Sequence, residues 1–149
     1  MLREVEFDEP EAARLSEAMA AEMAARYGGG GASPASASLF STPPGVFLVA
    51  ELEGRSVGCG GLCLLEAGVG EVKRMYVEPE ARGRGVARAL LRALVAHARG
   101  TGLVRVQLET GTEQPESVAL YRSEGFTPIP AYGHYRADPR SLCFALDLT

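Results

Sequence analysis

The amino-acid sequence predicts an α/β fold, one mixed sheet with helices packed on it. Three observations carry that reading. Apolar residues recur at helical spacing in two places, around Leu15, Met19 and Met23 and again around Val86, Leu90 and Leu94. Between them, "VFLVAELEGRSVGCGGLCLL" (46–65) is two apolar runs joined at Glu53-Gly54, the signature of a hairpin. Later, "GLVRVQLET" alternates Val104, Val106 and Leu108 against Arg105, Gln107 and Glu109, as a half-buried strand does.

Taken in order, "VEF" (5–7) reads as a short first strand. Asp8 then stands as a helix N-cap, with Pro10 in the first turn and Glu11 at capping-box spacing. Leu15, Met19, Met23 and Tyr27 mark one amphipathic helix of about five turns, its Met stripe read as core. "GGGGASPASAS" (28–38) is the one low-complexity stretch. Too few residues precede it for a domain, so it reads as a loop within a single domain spanning 1–149, of a length that often serves as a lid. After the hairpin, "GVGEVKRMYV" is a third strand that ends before Pro79, and a helix follows over 83–99. "QPESVALYRSEGF" is a short helix closed by Gly125, and "LCFALDL", apolar on both faces, suits a central strand.

Bulk properties narrow the function. At 149 residues the chain has the size of one domain with a real core. A net charge of −4, with Lys73 the single lysine, argues against a general nucleic-acid binder. No run approaches the roughly 18 apolar residues of a membrane span. The start lacks a secretory h-region, so a cytoplasmic protein is the expectation. Cys59, Cys63 and Cys143 form an odd set without a CxxC pair. They read as buried thiols, with no metal site expected.

The chemistry concentrates in "EARGRGVARALL" (80–91), a glycine-arginine turn that opens a helix. Helix N-termini leave amides without partners and carry partial positive charge, and glycines let a phosphate approach them. A triphosphate loop needs a Gly-Lys-Ser/Thr that is absent. The dinucleotide fingerprint GxGxxG fails because Arg88 stands at its last position, and the turn follows an antiparallel meander rather than the first strand. With nucleic acid disfavoured by charge, another phosphate-bearing cofactor remains. Arg84, Arg88 and Arg92 share the opposite helix face, and the last two read as a solvated basic surface. His97, near the helix end, reads as structural.

"VKRMYVEPEARGRGVARALLRALVAHAR" resembles the acetyl-CoA-binding region of the GNAT superfamily of N-acetyltransferases, whose Gln/Arg-x-x-Gly-x-Gly/Ala signature is matched by Arg82, Gly85 and Ala87. "QPESVALYRSEGFTPI" resembles that family's later helix, with Tyr121 ahead of a Gly-Phe pair. The resemblance implies a GNAT-like acyl-CoA N-acyltransferase fold, a central, mostly antiparallel sheet of about six to seven strands with flanking helices. It implies acetyl-CoA as cofactor. The amides of Gly83, Arg84, Gly85, Val86 and Ala87 would hold the pyrophosphate, with Arg82 at the turn's entrance. The backbone of Met75, Tyr76 and Val77 would carry the pantetheine arm. Tyr121 would lie near the cofactor sulfur as general acid, and Ser117 stands where many relatives have Asn.

Acetyl transfer to an amine requires a neutral nucleophile, although a free alkyl ammonium has a pKa of about 10.4. It also needs donors for an oxyanion and a proton for the leaving thiolate. Glu71 and Glu109, on strands flanking the expected opening, and Glu113 are alternative proton acceptors. With these carboxylates near the site, a cationic amine is the natural acceptor. "YGHY" (132–135) precedes the last strand, where Tyr132, His134 and Tyr135 could line an acceptor pocket. The expected activity is acetyl-CoA-dependent N-acetylation of a small-molecule amine or amino acid by direct attack in a ternary complex. A peptide or protein acetyltransferase and a non-catalytic acyl-CoA sensor are the alternatives. The expected partner is a small-molecule amine, with no nucleic acid and no membrane, and a homodimer stays open.

Overall fold

The computed structural model describes residues 1–29 and 35–149. Seven strands form one sheet: β1 (Leu2–Glu4), β2 (Val46–Leu52), β3 (Arg55–Glu66), β4 (Val69–Val77), β5 (Arg105–Gly111), β6 (Thr127–Ile129) and β7 (Ser141–Asp147). Their order is β1-β2-β3-β4-β5-β7-β6. Every neighbouring pair is antiparallel except β4 and β5. The helices are α1 (Pro10–Tyr27), α2 (Ala37–Ser41), α3 (Val86–Gly100) and α4 (Pro115–Ser123), with one 3-10 turn at Pro79–Ala81.

Both faces of the sheet are covered, which is why β2 and β3 read as nearly continuous apolar runs. On β2, Val46, Leu48 and Ala50 join the core beneath α3, while Phe47 and Val49 pack with α1 and α2. Helix α3 inserts Leu90, Leu91 and Leu94, each fully buried, and each such side chain stabilises the fold by about 1.5–3 kcal/mol. Glycines of β3 allow this close packing. A Cβ on Gly58 would meet Tyr76 O at 2.9 Å and Val86 Cγ1 at 3.2 Å.

The helix and strand boundaries differ in part from the sequence reading. The first strand lies at Leu2–Glu4 rather than 5–7, because its register with Leu48, Val49 and Ala50 places it at the sheet edge. Glu9, not Asp8, caps α1, its carboxylate accepting from Ala12 N at 3.2 Å. Helix α3 begins at Val86, since Gly83 and Gly85 adopt positive φ of 78° and 81° and cannot continue it backward. Val104 is 48% exposed and precedes β5, where Val106 and Leu108 are buried as the alternation requires. The short α2, anchored by buried Phe40 between Phe7 and Phe47, carried no sequence signal. Of the 28–38 loop, Gly28 caps α1 with φ 82°, while 30–34 lie outside the described residues. The three cysteines are buried, free thiols. Among the described residues no helix is long and apolar enough to cross a membrane.

Candidate active site

The site arises where the sheet opens. Strands β4 and β5 pair in parallel only from Val69↔Arg105 to Val72↔Leu108. Beyond that rung β5 stays paired with β7, and the β5-facing edge of residues 73–77 has no ladder partner. A β-bulge causes the departure. Its register breaks opposite Cys59 and Gly61, and Arg74 adopts φ 62°, the left-handed region that residues with a Cβ rarely enter. The Cys59 thiol donates to Arg74 O at 3.3 Å and braces it.

Side-chain alternation then assigns faces. Val72 and Leu108 join the core beneath α3, so Glu71, Lys73 and Glu109 project to the α1 face. Tyr121, on α4, belongs to the α3-side core, set against Phe126 and Phe144 at ring distances of 6.0 and 6.5 Å. A single cavity of about 250 Å³ nevertheless touches Tyr121, Glu71 and Glu109 together. It reaches both sides of the sheet through the gap between β4 and β5.

The two carboxylates are supported differently. Glu71 accepts from Tyr132 Oη at 2.8 Å through Oε2, and Lys73 Nζ lies 3.5 Å from its Oε1. Glu109 accepts from Ser141 Oγ at 2.7 Å through Oε2, and among the described residues no donor occupies its Oε1. Burial raises the Glu109 pKa; the Ser141 hydrogen bond opposes that shift and the neighbouring Glu71 charge adds to it. Burial also pushes Tyr121 up to about 12, so its phenol keeps its proton throughout the neutral range.

At the far end of the unpaired β4 edge stands the start of α3. Ala89 N is the first amide to bond back to the turn, reaching Gly85 O at 3.0 Å, and no side chain caps the helix. The amides of residues 83–88 therefore have no backbone acceptor among the described residues. A Cβ at Gly83 or Gly85 would meet nothing within 4 Å, so the approach to these amides is open. Such a cradle fits a phosphate-bearing group. Arg82 holds the turn in place. It donates to Val77 O at 2.8 Å and to Glu22 Oε1 at 2.7 Å, and its guanidinium lies over the Tyr76 ring.

Other expected residues fall into place or outside. Tyr135 lines the cavity, Tyr132 lies behind it as the partner of Glu71, and His134 is exposed against Tyr135. Glu113 is exposed and outside the lining, its carboxylate accepting from Thr112 Oγ1 at 3.2 Å. Ser117 is half-buried on α4 and does not line the cavity. Arg88 and Arg92 are not merely solvated, since both ion-pair with Glu124 and tie α3 to α4. His97 bonds Pro44 O at 3.0 Å, a structural contact.

The Met stripe requires correction. Leu15 is core and Met19 packs against the same cluster, but Met19 also lines the cavity, together with Met23, Ala20, Ala24 and Tyr27. Helical spacing shows that such residues share a face and does not show whether sheet or void lies opposite. The C-terminal end of α1 is clamped over the site. Tyr27 Oη donates to Gln114 at 2.9 Å, and Arg140 donates to Tyr27 O while stacking on its ring. Ser141, Arg140 and Asp138 carried no motif and reach the site only through the chain reversal into β7.

Known proteins resemble this arrangement. A protein of Azospirillum brasilense named IAA acetyltransferase is 47% identical over 97 residues, which span 64% of this chain and 63% of that relative's length. A Klebsiella pneumoniae structure assigned as an acyl-CoA N-acyltransferase superposes with a TM-score of 0.82 at 30% identity, covering 100% of this chain and 97% of that one. YncA of Salmonella typhimurium, solved with its cofactor acetyl-CoA, shares the fold with a TM-score of 0.74 at 20% identity, covering 100% of this chain and 94% of that one. The sequence model of the Acetyltransferase (GNAT) family matches residues 4–126. That match covers most of a chain whose sheet splays beside an open amide cradle, and the chain belongs to the GNAT acetyltransferase family.

Proposed function

We propose that the protein is an acetyl-CoA-dependent N-acetyltransferase that modifies the primary amine of a small molecule by direct attack in a ternary complex. The observation that carries this reading is the cavity through the sheet, which brings Tyr121 from one face and Glu109 from the other to a single space. The amides of residues 83–88 bind the pyrophosphate, and the unpaired edge of β4 at Met75, Tyr76 and Val77 receives the pantetheine arm in the manner of an added strand. Bound acetyl-CoA supplies an activated thioester carbonyl. Glu109, through its open Oε1, takes the proton that the amine loses as its nitrogen bonds to that carbon. Tyr121 donates its proton to the sulfur as the carbon–sulfur bond breaks. Glu71 is committed to Tyr132 and Lys73, so it serves as a fixed charge beside Glu109 rather than as the base.

A thermal melt with acetyl-CoA, CoA, NAD and ATP, followed by thiol release with an amine panel, tests the reading. At about 100 times its dissociation constant a ligand adds about 2.7 kcal/mol, which raises the midpoint by about 5–10 °C. A shift shared by acetyl-CoA and CoA alone, with amine-dependent thiol release, is the expected result. No shift at saturating acetyl-CoA removes the cofactor and the reaction with it.

A further inference from the structure

The lining of the cavity also speaks to the acceptor, an extension that rests on the acetyltransferase reading. Three cationic and three acidic side chains border it: Lys73, Arg74 and Arg140, with Glu71, Glu109 and Asp138. The sequence alone suggested a surplus of acid here, and the structure shows balance instead. Lys73 pairs with Glu71 at 3.5 Å. Arg140 grips Asp138 with two hydrogen bonds, Nε to Oδ1 at 3.1 Å and Nη2 to Oδ2 at 2.9 Å. Arg74 donates to Ser16 Oγ at 3.3 Å, with its guanidinium over the Phe7 ring. Each cation therefore has a protein partner, and each carboxylate but one is committed on both sides or in a bidentate grip. The exception is Glu109, whose Oε1 has no donor among the described residues.

The opposite wall is apolar. Met19, Ala20, Met23 and Ala24 of α1 present thioethers and methyl groups to the cavity that Glu109 and Tyr135 also line. Thioethers on flexible side chains adapt to flat or branched apolar bodies. The volume of about 250 Å³ lies below the roughly 300–1,000 Å³ of sites for drug-sized ligands.

A ligand carboxylate would have to pull Lys73 from Glu71 or Arg140 from Asp138 and leave that carboxylate charged and unpaired, or draw Arg74 away from the Ser16 hydroxyl and the Phe7 ring. A second ligand ammonium would meet no open carboxylate oxygen. We infer that the acceptor is a compact primary monoamine on an apolar or aromatic body, with no carboxylate and no second cationic group. Its ammonium docks at Glu109 Oε1 and its body lies on Met19 and Met23. This places amino acids and polyamines outside the preferred substrates.

The test uses matched pairs at saturating acetyl-CoA, with thiol release as the readout: 2-phenylethylamine against phenylalanine, hexylamine against 6-aminohexanoate, and spermidine alone. Each monoamine is expected to exceed its carboxylated twin, and spermidine, by at least about tenfold in kcat/KM. Met23→Asp is expected to lower kcat/KM for 2-phenylethylamine by about tenfold or more while the acetyl-CoA melting shift persists. Equal or faster turnover of the carboxylated twins or of spermidine, in a protein that still shows the acetyl-CoA shift, overturns the acceptor class and leaves the acetyltransferase reading standing. Absence of the shift overturns both.

Discussion

Replacing Gly85 with alanine separates a cost to folding from a cost to binding. Gly85 has φ 81° and N-caps α3, and a Cβ there would meet no atom within 4 Å. The folded protein therefore suffers no clash, only the left-handed strain of an L-residue, about 1–2 kcal/mol. For a chain of this size each kcal/mol lowers Tm by about 2–4 °C, so the melt should fall by about 2–8 °C. Binding suffers differently, because the new methyl stands over amides that a pyrophosphate must approach closely. CoA affinity should weaken by at least about tenfold, or 1.4 kcal/mol. Gly102 supplies the matched control. It has φ 84°, equally open surroundings, and sits just past the other end of α3. Gly102→Ala should depress Tm by a similar amount and leave CoA affinity unchanged. The assay is calorimetric titration of CoA into both variants beside a thermal melt. A Gly85→Ala protein that binds CoA within about twofold of the parent refutes the placement of the phosphate at this helix start.

Tyr121→Phe should lower kcat with little change in CoA affinity, because the ring still packs between Phe126 and Phe144 while the proton donor is lost; unchanged kcat in a steady-state assay would remove the acid role. The activity of the parent should fall as pH drops through the raised Glu109 pKa, since the base must be ionised. Ser141→Ala deletes the donor that holds this pKa down, so the acid limb of the kcat/KM profile should move to higher pH, and Ser141→Thr should restore it. An unmoved limb would mean that another group titrates. Leu90→Ala, at a fully buried position beneath the sheet, should cost about 2–5 kcal/mol, visible as a lower midpoint in urea. Gly111→Ala should reduce kcat/KM with amines more than Tm, because its Cβ would run into the Tyr27 phenol that closes the cavity.

The sheet, the long helices and the glycine turn were readable in the sequence because each rests on local rules. Alternation at 105–109, the Glu53-Gly54 reversal with φ 52° and 77°, and the Leu90–Leu94 stripe of α3 need only neighbours within a few residues. Gly83 and Gly85 announced an open helix start for the same reason, since positive φ and an uncapped N-terminus are properties of the chain at that point. What the sequence left open depends on distant partners. Glu71 and Glu109 looked alike as strand carboxylates. The tertiary structure distinguishes them by the hydroxyl each receives, Tyr132 for one and Ser141 for the other, and by the ammonium of Lys73 beside Glu71. Met19 and Met23 had the spacing of core residues, and only the separation of β4 from β5 beyond Val72 and Leu108 turned the space beneath them into a cavity. Periodicity records which side chains share a face, whereas the sheet's register and its bulge at Arg74 decide what that face meets.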